Sequence, residues 1–107
     1  MKRENKFQAE LIKRLYDEFP GCLVLKNDPN YIQGIPDLSI FYKNRWAMLE
    51  CKRSAKEEHQ ANQDDYIELT NRMSFARFVY PENVEEVIYE LQRAFKTKRS
   101  TRISKCK

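Results

Sequence analysis

The sequence predicts an α/β domain in which helices flank a mixed central sheet, in the order α-β-β-β-α-β-α. Three observations carry that prediction. Phe7, Leu11, Leu15 and Phe19 recur every four positions, with Ile12 and Tyr16 widening the stripe, as the buried face of a helix requires. Two apolar runs flank the pair Lys43-Asn44, the pattern of a hairpin. A helical stretch then separates this hairpin from a further apolar run, Phe75 to Tyr80. An internal helix between strands of one sheet places helices on both faces, and the crossover fits a right-handed βαβ unit.

The first helix spans about Arg3 to Phe19 and stops at Pro20-Gly21. Cys22 to Lys26 is a short apolar strand, and the turn formers from Asn27 to Gly34 make a loop. The hairpin strands follow, and polar residues Ala55 to Asn62 form a second loop. A second helix runs from near Asn62 to about Met73, with Tyr66, Ile67, Leu69 and Met73 on its apolar side. Pro81 stops the fourth strand. Asn83 is placed to cap a last helix, with Glu85 and Glu86 in its first turn and Val84, Val87, Ile88, Leu91 and Phe95 on its buried stripe.

With 107 residues, 41% hydrophobic and 34% charged, the chain is expected to form one ordered domain over 1–95. No apolar run approaches the ~20 residues of a membrane helix. No signal peptide is visible, so a cytosolic location is expected, the host cytoplasm for a phage-encoded chain. Cys22, Cys51 and Cys106 form no Cys-x-x-Cys pair, and His59 is the only histidine, which argues against a zinc site. The net charge of +4 is uneven: residues 96–107 carry six basic residues and no acid, leaving 14 basic and 16 acidic residues in 1–95. A basic tail on a mildly acidic body suits either a polyanionic partner or a solvated terminus.

The chemistry gathers in the hairpin. If Lys43 and Asn44 form a two-residue turn, Tyr42 faces Arg45, Phe41 faces Trp46, and Asp37 faces Glu50. Directly opposed side chains lie roughly 5 Å apart at Cβ. Strand alternation puts Lys52 on the face of Glu50. A three-residue loop, Lys43 to Arg45, would shift the pairing by one unless a bulge restored it. The group could be a cross-strand salt bridge on a wet sheet face. It could equally be a metal site: two carboxylates, with waters and the backbone carbonyl of Cys51, offer oxygen ligands suited to Mg²⁺. With Lys52 to orient a water or neutralise a phosphate, these parts suit phosphodiester hydrolysis.

At these residues the sequence resembles the PD-(D/E)xK nuclease superfamily, and within it the small phage and bacterial VRR-nuclease type. The resemblance rests on Gly34-Ile35-Pro36-Asp37, Glu50-Cys51-Lys52-Arg53, Asn62 to Ile67 and Phe75 to Pro81, and it covers Glu10 to about residue 91. It implies a restriction-endonuclease-like core and a Mg²⁺-dependent DNA endonuclease, with Mn²⁺ as a substitute and no nucleotide cofactor. It implies that Asp37 and Glu50 are metal ligands and Lys52 the catalytic lysine. It adds Glu10 as a further acidic ligand and Gln63, with Gln60 as runner-up, as the glutamine after the lysine strand. It implies duplex or branched, Holliday-junction-like DNA as substrate and a homodimer as the acting unit. Arg53, Lys56, Lys96, Lys98, Arg99 and Arg102 are either contacts to the DNA backbone or solvated charge. The alternative is a catalytically inactive DNA- or partner-binding module on the same fold.

Overall fold

The computed structural model describes residues 2–96 of the chain. It is an α/β fold with one four-stranded mixed sheet and, among the described residues, three helices. The elements run α1 (Lys2–Glu18), β1 (Leu23–Lys26), β2 (Leu38–Tyr42), β3 (Arg45–Cys51), α2 (Gln63–Met73), β4 (Ala76–Val79) and α3 (Val84–Phe95). The strand order is β1-β2-β3-β4. The first three strands pair antiparallel, and β4 joins β3 in parallel after the crossover through α2. The predicted order of elements stands. No helix among the described residues is long and apolar enough to cross a membrane.

Pleat alternation divides the sheet. Leu38, Ile40 and Tyr42 of β2 and Ala47, Leu49 and Cys51 of β3 are buried on one face. They join Leu11, Leu15 and Phe19 around α1 and Val87, Ile88, Leu91 and Phe95 of α3 in one core. Phe19, Tyr42 and Phe95 form an aromatic knot, with centroids 5.3 to 5.6 Å apart. Burial pushes the Cys22 thiol above its ordinary value. Arg14 ties α1 to α3 through two 2.9 Å bonds to Glu85, which hold the Glu85 carboxyl below its usual range and raise the guanidinium.

Three expectations are corrected. Tyr16 leaves the core: its ring is exposed, and its hydroxyl accepts the Val24 amide at 3.0 Å, pinning α1 to β1. Of the apolar residues expected on α2, Tyr66 and Ile67 are half-buried whereas Leu69 and Met73 are exposed, because the helix covers β3 and β4. Asn83 stands at the start of α3, but its side chain does not cap the helix. Its amide turns back to β4, accepting the Tyr80 N–H and donating to the Phe78 carbonyl, and so closes the strand-to-helix turn.

Candidate active site

The two-residue turn forms, with Lys43 at φ 57° in the left-handed region. Tyr42 pairs with Arg45 and Phe41 with Trp46, and the register continues to Leu38 opposite Leu49. The next position along brings Asp37 to Glu50. There the ladder changes character, because side chains replace carbonyls. The Asp37 amide donates to Glu50 Oε1 at 3.1 Å, and the Cys51 amide donates to Asp37 Oδ2 at 3.0 Å. Each acid thus accepts an amide from the opposite strand, which holds both carboxylates at the strand ends.

Glu50 and Lys52 share the sheet face that α2 covers, and each is only 3% exposed. Charges so deep require partners. Gln63, the first residue of α2, supplies them. Its amide nitrogen donates to Glu50 Oε2 at 2.7 Å, and its oxygen accepts Lys52 Nζ at 2.6 Å. Lys52 Nζ also reaches the Glu58 carbonyl at 3.3 Å. An ammonium has three protons; the third has no hydrogen-bond partner among the described residues. Burial pushes the Asp37 carboxyl above its ordinary value, against the pull of the Cys51 amide and the Lys52 charge, and the Glu57 charge adds to the rise. No described donor reaches Asp37 Oδ1.

Two loop residues lock this geometry. Asn27 continues β1 beside Asp37: its backbone amide donates to the Asp37 carbonyl at 2.8 Å and its side-chain amide to the Pro36 carbonyl at 2.8 Å. Its oxygen takes the hydroxyl of Ser39, which explains how that serine is buried. Gly34 has φ 91°, and a Cβ there would fall 2.5 Å from Asn62 Cβ. Asn62 precedes α2 with φ 71° and no side-chain cap, its carbonyl accepting the Tyr66 amide at 3.0 Å. The glycine therefore lets the 27–36 loop touch the start of the helix that carries Gln63.

Of the residues picked from the sequence, Asp37, Glu50, Lys52 and Gln63 meet. The Cys51 backbone lies between the two acids' anchors. Gln60 is exposed and uses its backbone amide to orient Gln63 Oε1 at 2.8 Å. Glu10 does not complete a triad of acids: it lines a cavity with Phe7, Leu11, Arg14 and Val84. Among the described residues no group of three or more His, Cys, Asp or Glu side chains is arranged to hold a metal ion. Arg53 and Lys56 are exposed beside Lys52 and line an open cavity of about 450 Å³ with Phe7, Ser54, Glu57 and Pro81. Lys96 is exposed at the end of α3. Lys98, Arg99 and Arg102 lie outside the described residues.

Sequence reasoning missed Glu57 and the Glu58 carbonyl. Glu57 Oε1 accepts the Arg53 amide at 2.6 Å and lies 3.6 Å from the Arg53 guanidinium. Burial works to raise its carboxyl, but the Arg53 amide and the charges of Lys52 and Arg53 outweigh it and hold the group below its ordinary value. The four-residue spacing of Arg53 and Glu57 was the available signal. A bend that aims a carbonyl at Lys52 leaves no side-chain signature. The exposed His59 ring stacks on Phe78 at 4.0 Å, and its Nδ1 meets Asp64 at 2.6 Å. The chain matches no family model, no curated protein and no solved structure.

Proposed function

We propose that this chain is a metal-dependent DNA endonuclease that hydrolyses phosphodiester bonds, on a restriction-endonuclease-like core. One observation carries the reading: Asp37 just before β2, Glu50 and Lys52 at the end of β3, and Gln63 at the start of α2 converge in one network with Glu50 and Lys52 both 3% exposed. A surface salt bridge has no need of burial or of a glutamine set between its charges. The site lies at the carboxyl end of the parallel strands β3 and β4, where open α/β sheets bind ligands.

The donor set fits a divalent cation. Asp37 has an oxygen without a described donor and a carboxyl pushed upward by burial, and a cation there would offset its charge. Asp37 and Glu50 would hold Mg²⁺ or Mn²⁺ with the Cys51 carbonyl, and waters would complete the shell. When bound, the ion supplies polarisation of a phosphate oxygen and acidification of a water. The chain's own residues do the rest. Gln63 fixes the spacing of Glu50 and Lys52, and the third ammonium proton of Lys52 stabilises the attacking water or the phosphoryl oxygens. Water adds to phosphorus in line, the bond to the 3′ oxygen breaks, and a 5′-phosphate and a 3′-hydroxyl result. Arg53 and Lys56 hold backbone phosphates without reading bases. One site cuts one strand, so cleavage of duplex or branched DNA on both strands requires a second copy, as in a homodimer.

The test is incubation of the purified chain with supercoiled plasmid and synthetic four-way junctions, in Mg²⁺, in Mn²⁺ and in chelator. Cutting with either ion and none with chelator is expected. A folded chain that cuts neither substrate would favour a non-catalytic DNA-binding module on this fold.

A further inference from the structure

The lysine at the centre of the site is held by a single short stretch of chain. Both hydrogen-bond acceptors of Lys52 Nζ, the Glu58 carbonyl and Gln63 Oε1, come from residues 58–63. Most of that stretch lacks regular structure, since α2 begins only at Gln63. Its internal bonds are few: the Gln60 amide to Gln63 Oε1 at 2.8 Å and the Gln63 amide to the Gln60 carbonyl at 3.2 Å. Neither reaches the sheet; at the far end of the stretch the Gln63 side-chain amide does, donating to Glu50 Oε2 of β3 at 2.7 Å.

His59 reaches the sheet as well. It follows Glu58 directly, so its backbone and the carbonyl that Lys52 uses belong to one peptide unit. Its ring lies flat on Phe78, 4.0 Å away at an interplanar angle of 19°. Phe78 is the β4 partner of Glu50, so the stack rests next to the site. The other edge of the ring is fixed by Asp64 in the first turn of α2, one residue after Gln63. A carboxylate only accepts, so Nδ1 carries the proton of that 2.6 Å bond. One side chain therefore clamps the loop to the sheet and to the helix on either side of the two Lys52 acceptors.

We infer that His59 is a positioning residue for Lys52, acting through the Glu58 carbonyl and Gln63 by its stack on Phe78 and its bond to Asp64. The inference rests on the nuclease reading for its consequence in catalysis, but not for its consequence in the resting protein. An ammonium moved by about 1 Å loses its aim at a reacting group, and such displacements cost up to about a hundredfold in rate. His59 touches no reacting atom in this scheme, so its loss should lower kcat and leave KM nearly unchanged.

The test compares His59→Ala, His59→Phe and Asp64→Asn with the wild type in two arms. In the first, NMR of the ¹⁵N-labelled lysine ammonium groups follows Lys52 in the chain without DNA. His59→Ala should speed proton exchange of Lys52 Nζ at least severalfold and shift its signal, and His59→Phe, which keeps the stack, should restore part of the wild-type behaviour. In the second, steady-state cleavage should show kcat reduced roughly ten- to a hundredfold in His59→Ala with KM within about twofold, and an intermediate kcat in His59→Phe. An unchanged Lys52 signal in folded His59→Ala would overturn the inference. So would a raised KM at constant kcat, which would make His59 a substrate contact. A wild type that cuts nothing, with Lys52 still loosened by His59→Ala, would sink the nuclease reading and leave the positioning role standing.

Discussion

Asp37 and Glu50 hold each other through the backbone. The amide of Asp37 donates to Glu50 Oε1 at 3.1 Å, and the carboxylate of Asp37 takes the amide of Cys51, the residue after Glu50. Two like charges on facing strands repel. Here each is met by an N–H dipole from the opposite strand, and Gln63 and Lys52 complete the neutralisation on the other side.

Lys52→Ala should lower cleavage by at least about a hundredfold, the lower range for a positioned proton-handling group. DNA binding in chelator should stay within a few fold, because the cations proposed to hold phosphates, Arg53 and Lys56 among them, remain. Gel-shift and cleavage assays on one preparation check both. Unchanged cutting would remove Lys52 from the mechanism.

Asp37→Asn should make the protein more stable while abolishing activity. The folded chain holds the Asp37 carboxyl above its ordinary value of 3.8, first through burial. The native state therefore binds this proton more tightly than the unfolded chain does, and this group's contribution to stability falls as pH rises through the folded pKa. At pH 7 the charged Asp37 is a cost that asparagine removes. The difference from wild type should shrink as the pH falls toward 3.8. Glu57 has the opposite sign: its depressed carboxyl contributes stability at neutral pH that is lost in acid. Mg²⁺ should raise the melting temperature of the wild type and not of Asp37→Asn. Thermal unfolding from pH 4 to 8, with and without Mg²⁺, measures all of this; a wild type more stable than Asp37→Asn at pH 7 without metal would refute it.

Gly34→Ala should cost about 1–3 kcal/mol from the left-handed backbone alone. The added Cβ would also meet Asn62 at 2.5 Å and push back the start of α2. Cleavage should therefore fall further than stability does, since Gln63 moves with that helix. Urea unfolding and kcat on the same variant test the link. A variant with a lowered midpoint and a wild-type kcat would break it.

Deleting residues 96–107 removes six cations. DNA affinity should drop, and the slope of its logarithm against log salt should flatten by about 0.9 for each phosphate the tail contacts. A fluorescence-anisotropy titration at several salt concentrations decides; an identical slope would assign the tail to solubility.

The fold and the heart of the site were legible because both follow from periodicity. A stripe of period four gave α1, and counting outward from a two-residue turn gave the register that joins Asp37 to Glu50. Glu10 was not legible in the same way. It came from the resemblance alone, and it lines a cavity with Arg14 and Val84. The 53–62 loop was opaque for a different reason. Glu58 contributes a carbonyl, which every residue possesses, and Glu57 folds back on the amide of Arg53 through a bend that no pattern encodes.

Lys52 meets position 58 through its backbone carbonyl, and the side chain there is exposed. Substitution at 58 can change the charge of the rim without disturbing the group at its base. On the nuclease reading, evolution or an engineer thus has a dial beside the site that tunes affinity for a polyanion separately from the chemistry.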